Sequence, residues 1–378
     1  MRKRVGIGIC AALLLLALAA GVKLRIEVGL PVEPEQASLL HASYGERLQT
    51  EPHREALESF IRNRLTGMYG VYTNLQETDQ TREAASGHEV LSESAGLLLR
   101  YYARSGQRDR YDAEWTLAKR TFELGSGLSY RYSPLHNKRY PLNAAVDDLR
   151  IIRSLHEAAE AFPSGPYMEE ANAYGDRFIR NNILDGYMYD FYDESVKRTN
   201  SFITLAYIDL RTLQLLPLAT AKRDTLTANM LRIARDGYIS DTFPFFESRY
   251  DYESKTYRSD TIQTVESLLT ILALVEVGQH ESASIRYVKE HVAAGTLYGQ
   301  YTREGRPAST VRSTAIYAIA AMIGSVAHDA DLYESSIRRM NEFQIMDKNS
   351  PLYGGFADAR SGQAYSFDNL TALLAFEY

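Results

Sequence analysis

Met68-Tyr69-Gly70-Val71-Tyr72 is an apolar-Tyr-Gly-x-aromatic pattern that returns as Leu297-Tyr298-Gly299-Gln300-Tyr301 and as Leu352-Tyr353-Gly354-Gly355-Phe356. Looser versions stand between them: Tyr130-Arg131-Tyr132, residues 187–192, and residues 245–252. Successive clusters lie about 52 to 61 residues apart, a period that marks repetition of one supersecondary unit. Each cluster alternates in strand fashion and runs into turn-forming residues, such as Tyr72-Thr73-Asn74, Asp193-Glu194-Ser195 and Arg303-Glu304-Gly305. Each therefore predicts a short β-ribbon.

After each ribbon the pattern becomes helical. Residues 92–102, 148–162, 202–216, 261–277, 313–323 and 369–378 form the first helix of each unit. Leu268-Leu269-Thr270-Ile271-Leu272-Ala273-Leu274-Val275 is apolar nearly all round, as a helix buried on most faces must be. More charged segments follow, at 107–124, 169–182, 221–235 and 332–343, each with one apolar stripe. Buried and outer helices in alternation predict an all-α (α/α)6 toroid with short β-ribbons in the loops at one end. An open α-solenoid is the alternative, though solenoids rarely carry a long aromatic loop on every repeat. The helix at 53–65 is expected to supply the missing outer member and close the ring. Ribbons and inner-helix N-termini would then converge on one cleft.

The chain has 378 residues, a formal net charge of −6, 24% charged residues and 45% hydrophobic ones. That balance is globular, and it lacks the excess of Lys and Arg that a nucleic-acid surface needs. The single cysteine, Cys10, excludes a disulfide framework and a Cys-based metal site. The eight His contain no His-Glu-x-x-His pair, and no Gly-x-Ser-x-Gly elbow or phosphate loop is present. No metal or other cofactor is expected, and a monomer is. The 27 Tyr suit a surface that stacks on flat polar ligands, of which sugars are the commonest.

Met1-Arg2-Lys3-Arg4 is cationic, and Val5 to Val22 carry no charge. This is an export signal or a membrane anchor, with Ala17-Leu18-Ala19 as a small-x-small cleavage site. Residues 1–22 are read as that leader, 23–50 as a stalk, and 51–378 as a catalytic domain outside the cytoplasm. If uncleaved, the leader would tie the protein to the membrane.

The first inner helix opens His88-Glu89-Val90-Leu91-Ser92-Glu93-Ser94-Ala95-Gly96. A carboxylate at a buried helix start beside small residues is partly desolvated yet open to a ligand, which suits a general acid. The other reading is a Glu placed to favour the helix dipole. Here the chain resembles glycoside hydrolase family 8, the inverting endo-glycanases. Ser92, Glu93 and Gly96 match that family's Ser-Glu-Gly-x-Gly motif, and Ser94 departs from it. Tyr111 and Trp115 fit its next aromatic pair. Ala144, Asp148, Ile151, Ser154, Leu155, Ala158 and Phe162 fall in register with its second signature. Val146 stands where that signature has its functionally important Asp, and Asp147 fills the small position, from which it could supply the carboxylate. The resemblance is to a distant branch associated with exopolysaccharide synthesis, and it implies that Glu93 protonates the leaving oxygen while Asp148 orients a sugar hydroxyl.

An inverting enzyme needs a second carboxylate across the scissile bond. Asp260, in Ser259-Asp260-Thr261-Ile262, is expected to begin the fourth inner helix, three repeats from Glu93 and so across the ring. Asp251 competes, although ribbon-turn acids recur as Asp193 and Asp358. Asp368 reads as a helix cap. Tyr130, Tyr132, Tyr189, Tyr250, Tyr298 and Tyr353 are candidate stacking platforms. The expectation is an endo-glycosidase cutting a β-linked polysaccharide. The alternatives are a catalytically impaired polysaccharide-binding protein of a synthesis system, and another toroid enzyme such as a lyase.

Overall fold

The computed structural model describes residues 38–40, 44–78, 80 and 84–378. The leader at 1–22 and most of the stretch read as a stalk lie outside the described residues. Residues from 38 onward belong to one compact unit.

Among the described residues twelve α-helices build an (α/α)6 toroid. The inner ring is α2 (Ser92–Arg104), α4 (Ala145–Ala161), α6 (Leu210–Leu213), α8 (Thr264–Glu276), α10 (Thr314–Val326) and α12 (Ser366–Ala375). The outer ring is α1 (Glu51–Phe60), α3 (Arg108–Phe122), α5 (Tyr167–Asn182), α7 (Thr220–Asp236), α9 (Ser282–Ala294) and α11 (Ala330–Asn341). Sequence decides which ring a helix joins. From Thr314 to Ser325 every residue of α10 is buried, because no side chain there needs water. In α9 only Ser284, Val288 and Val292 are buried, one row at a spacing of four, so one face packs and the rest is solvated.

The ring closes. α12 packs on α2, and α1 packs on α12 as the sixth outer member. The Arg100 guanidinium of α2 donates to the hydroxyl of Tyr378, just after α12, at 2.9 Å across that seam. The described part of the stretch read as a stalk lies on the domain. Leu39 is buried and its carbonyl accepts from Arg104 at 2.8 Å, while the Tyr44 ring meets Tyr333.

Short strands precede three inner helices, two of them directly, and pair with a later ribbon. Val90–Leu91 pairs with Arg131–Ser133, Phe202–Thr204 with Arg249–Asp251, and Ile262–Gln263 with Gln300–Tyr301. This staples the ribbons to the N-terminal end of the barrel. It also corrects two expectations. Residues 202–216 are not one helix but a strand, a 3-10 turn (Leu205–Tyr207) and the single turn α6, which Asp209 caps by accepting from the Thr212 N–H at 2.9 Å. In the fourth repeat, pairing of Ile262–Gln263 delays the helix to Thr264. Among the described residues no helix is long and apolar enough to cross a membrane.

Candidate active site

Glu93 is the second residue of α2 and half-buried, with protein on most sides and an opening toward the cleft. Burial, and then the neighbouring Asp147 charge, push its carboxyl up to about 7, while Arg150 pulls it down. A carboxyl poised near neutrality can give up a proton in a reaction and regain it afterwards.

Asp147 and Asp148 are adjacent on α4 but face different surroundings. Asp147 accepts from the Ser92 hydroxyl at 3.0 Å, from Arg150 Nη1 at 2.9 Å and from the Glu93 backbone N–H. Burial raises its carboxyl; Arg150 and these hydrogen bonds draw it back. Asp148 instead turns beneath the loop at Gly127, where any side chain would strike its Oδ2 at 2.7 Å, and it accepts from Asn143 at 2.6 Å. Burial lifts it to about 8. The expected sugar-orienting role therefore does not fit Asp148, which anchors a loop; Asp147 is the aspartate beside Glu93. Val146 lines a cavity of about 70 Å³ on the barrel axis, together with Arg150, Ala206 and Leu269.

Three further groups extend the site. The Tyr207 hydroxyl is raised first by burial and then by the charges of Asp147, Asp190 and Glu93, which places all four around one space. Asp190 accepts from the Thr204 N–H and hydroxyl at 2.5 and 2.6 Å, and burial raises it to about 6. Glu266, in the first turn of α8, is near enough to add its charge to Asp190. Burial raises Glu266 against the pull of the Ser248 hydroxyl and Arg249, and its Oε2 is buried with no hydrogen-bond partner. None of the three was among the sequence candidates. For Glu266 a signal existed: it is the one charge at the head of an apolar helix three repeats from Glu93.

The two proposed bases stand elsewhere. Asp260 is exposed on a bend ahead of the strand Ile262–Gln263, so it does not begin the helix. Asp251 accepts from the Ser254 N–H and hydroxyl at 2.8 and 2.9 Å within its ribbon turn, bonds that hold its carboxyl below the usual range. Asp368 caps a neighbouring helix, accepting from the Ala315 N–H of α10 at 2.8 Å.

Among the tyrosines, Tyr130 and Tyr298 flank the site. The Tyr130 carbonyl accepts from the Ser92 N–H, and that of Tyr298 from the Thr264 hydroxyl, at the heads of α2 and α8. Both rings are half-buried. Tyr189 and Tyr250 pack on Tyr252, and Tyr353 lies in a turn bonded to Ser350. Tyr132 is not a platform: it is buried against Tyr69, with its hydroxyl on Asn137. Tyr111 and Trp115 are buried on outer helix α3, against Tyr167 and Tyr174. Among the described residues no group of three His, Cys, Asp or Glu is placed to hold a metal ion. A separate concavity of about 740 Å³, lined by Arg54, Glu58 and Arg110, lies by the C-terminal ends of α2 and α12 and holds none of these groups.

Below the cleft the axis is ionic. Arg100 makes a bidentate pair with Glu157, at 3.0 and 2.8 Å, and Arg153 reaches across to Glu276 at 2.7 and 2.5 Å.

The chain shares its (α/α)6 fold with known carbohydrate-active hydrolases. No family model matches the chain. It is 26% identical over 293 residues to "Putative lipoprotein YdaJ" of Bacillus subtilis (strain 168), covering 75% of this chain and 78% of that one. Among solved structures, an α-amylase from Clostridium perfringens is 29% identical, with a TM-score of 0.79 over 86% of this chain and 97% of its own. PssZ from Listeria monocytogenes shares the fold at 18% identity and a TM-score of 0.67, over 85% and 94% of the two chains. Family 8 xylanases and an endoglucanase share it more distantly.

Proposed function

We propose that the protein is an extracytoplasmic, inverting endo-glycosidase of a distant exopolysaccharide-associated branch of glycoside hydrolase family 8, cutting a β-linked polysaccharide. The observation that carries this reading is Glu93, a carboxyl lifted to about 7 at the head of the first inner helix. Glu93 protonates the leaving glycosidic oxygen. Glu266, three repeats round the ring and with a buried oxygen free to accept, takes the proton of the attacking water. An inverting pair leaves about 6.5–9.5 Å between carboxyls for that water. Asp147, one residue on from Val146, binds a sugar hydroxyl in place of the aspartate that the family resemblance leads one to expect at Val146. Tyr130 and Tyr298 hold the neighbouring sugars. The basic start and charge-free run of the leader support a place outside the cytoplasm, and protease added to intact protoplasts should digest the domain.

The test is release of reducing ends from β-glucans, chitosan and the host's own exopolysaccharide, with the anomer of the first product read by NMR. Glu93→Gln and Glu266→Gln should each cut turnover by at least ~100-fold in a folded protein, while Asp260→Asn should not. Full activity in all three would end the glycosidase reading. A second reading, hydrolysis of an α-linked glucan, is favoured by the likeness to the clostridial amylase. Activity on starch with none on β-glucans would select it.

A further inference from the structure

We propose that Arg150 is a positioning residue that acts through Asp147: it holds that carboxylate ionised against the head of α2, so that the one proton of the Glu93–Asp147 pair resides on Glu93. The inference rests on reading Glu93 as the proton donor. Two carboxyls this close share their protons, and catalysis needs the proton on the one facing the leaving group.

The geometry sorts them. Asp147 receives three donors, from Arg150, Ser92 and the Glu93 backbone, whereas no charge-assisted hydrogen bond reaches the Glu93 carboxyl among the described residues. An ion pair favours the ionised form of its carboxylate, so the proton is left to Glu93. Arg150 is itself placed by sequence. Its stem runs over Gly96 of α2, where a Cβ would sit 3.2 Å from Arg150 Cγ and 3.3 Å from Cδ. The glycine four residues after Ser92 thus opens the lane that lets a guanidinium on the next helix reach back to Asp147. Other charged groups line the cavity beside Arg150: Arg100 from α2, Arg153 from α4, Asp209 from the third unit and Glu276 from α8. Tyr207, also of the third unit, lies near the charges of Asp147, Glu93 and Asp190. Arg153 is committed to Glu276 and Asp209, and Arg100 to Glu157, so Arg150 is the cation serving Asp147.

The experiment titrates carboxyl carbons of the free protein by 13C NMR and, separately, takes the pH profile of kcat/KM on whichever glycan is cleaved. In Arg150→Met, which keeps the stem, the Asp147 titration should move up by at least about 1 pH unit, and the alkaline limb of the rate profile should follow upward. Arg150→Lys should return at least half of that shift. Gly96→Ala, which crowds the stem and Ile151 beside it, should move Asp147 in the same direction by less. An Asp147 titration unmoved in folded Arg150→Met, or Arg150→Lys behaving like Arg150→Met, would overturn the proposal. If no glycan is cleaved, the glycosidase reading fails, while the NMR titration still decides the role of Arg150.

Discussion

Inner helix α4 carries buried acids at two levels, and they live opposite lives. At its head Asp147 faces Glu93, and the cleft carboxyls Glu93, Asp190 and Glu266 are all pushed upward by burial. Ten residues on, about 15 Å along the helix, Glu157 is fully buried too. There burial is overcome by Arg100, then Arg104 and Arg153, and the carboxyl is held below its usual range. Asp209 behaves likewise under Arg153 and Thr212. Burial alone does not make a reactive carboxyl. What separates the two levels is the supply of guanidinium: the axis is amply paired, whereas the mouth has Arg150 on Asp147 and leaves Glu93 under-paired.

The contrast breaks most visibly at the axis. Glu157→Ala would leave the buried Arg100 guanidinium without its carboxylate and should destabilise the fold by about 3–5 kcal/mol, measured by urea denaturation. At the mouth, Glu93→Gln should do the reverse. It should lower turnover by at least ~100-fold with no loss in the denaturation midpoint, since the acid group contributes to chemistry and its burial favours a neutral side chain. A loss of stability matching that of Glu157→Ala would erase the distinction.

Stability against pH sharpens the comparison. For Glu157 and Asp209 the folded state holds the carboxyl low, so their stabilisation is present above the unfolded value and is lost as pH falls through the folded one. Asp148, Glu93 and Glu114 are raised in the folded state, to about 8, 7 and 7. Their contribution is full below the unfolded value near 4 and is lost as pH rises to about 7–8. Stability should therefore peak in mild acid. Asp148→Asn should flatten the decline between pH 5 and 8 by about 1.4 kcal/mol per pH unit; parallel curves for parent and variant would contradict its assignment. The smallest effect belongs to the ribbon. Asp251→Asn should leave turnover within about twofold of the parent, as exposed substitutions do.

The toroid was legible because its period is written twice, in the aromatic clusters and in helices whose burial follows from composition. Helix phase was harder. Asp147 and Asp148 differ by one residue, which on a helix is about 100° of rotation, and sequence register alone favoured the wrong one. The segment 261–263 shows why Asp260 was expected at a helix head that it does not occupy. Thr261-Ile262-Gln263 continues an apolar pattern into the helix, yet Ile262 and Gln263 are extended because strands nearly forty residues later pair with them. No local signal reports that pairing, and it moves the helix start to Thr264, which puts Glu266 in the first turn and leaves Asp260 ahead of the strand. The third unit failed for the same reason, with Phe202–Thr204 drawn out by Arg249–Asp251.

The seam between α2 and α12 has a consequence for how the chain is born. Arg100 and its partner Tyr378 are 278 residues apart, and the first inner helix gains its second inner neighbour only when α12 arrives. A nascent chain holding five of the six units would present the α12-facing side of α2 uncovered for the whole time the middle of the protein is being made, and late long-range contacts of this kind fold slowly and expose apolar surface meanwhile. Emergence of the last helix is thus the event that turns a sticky open arc into a finished ring.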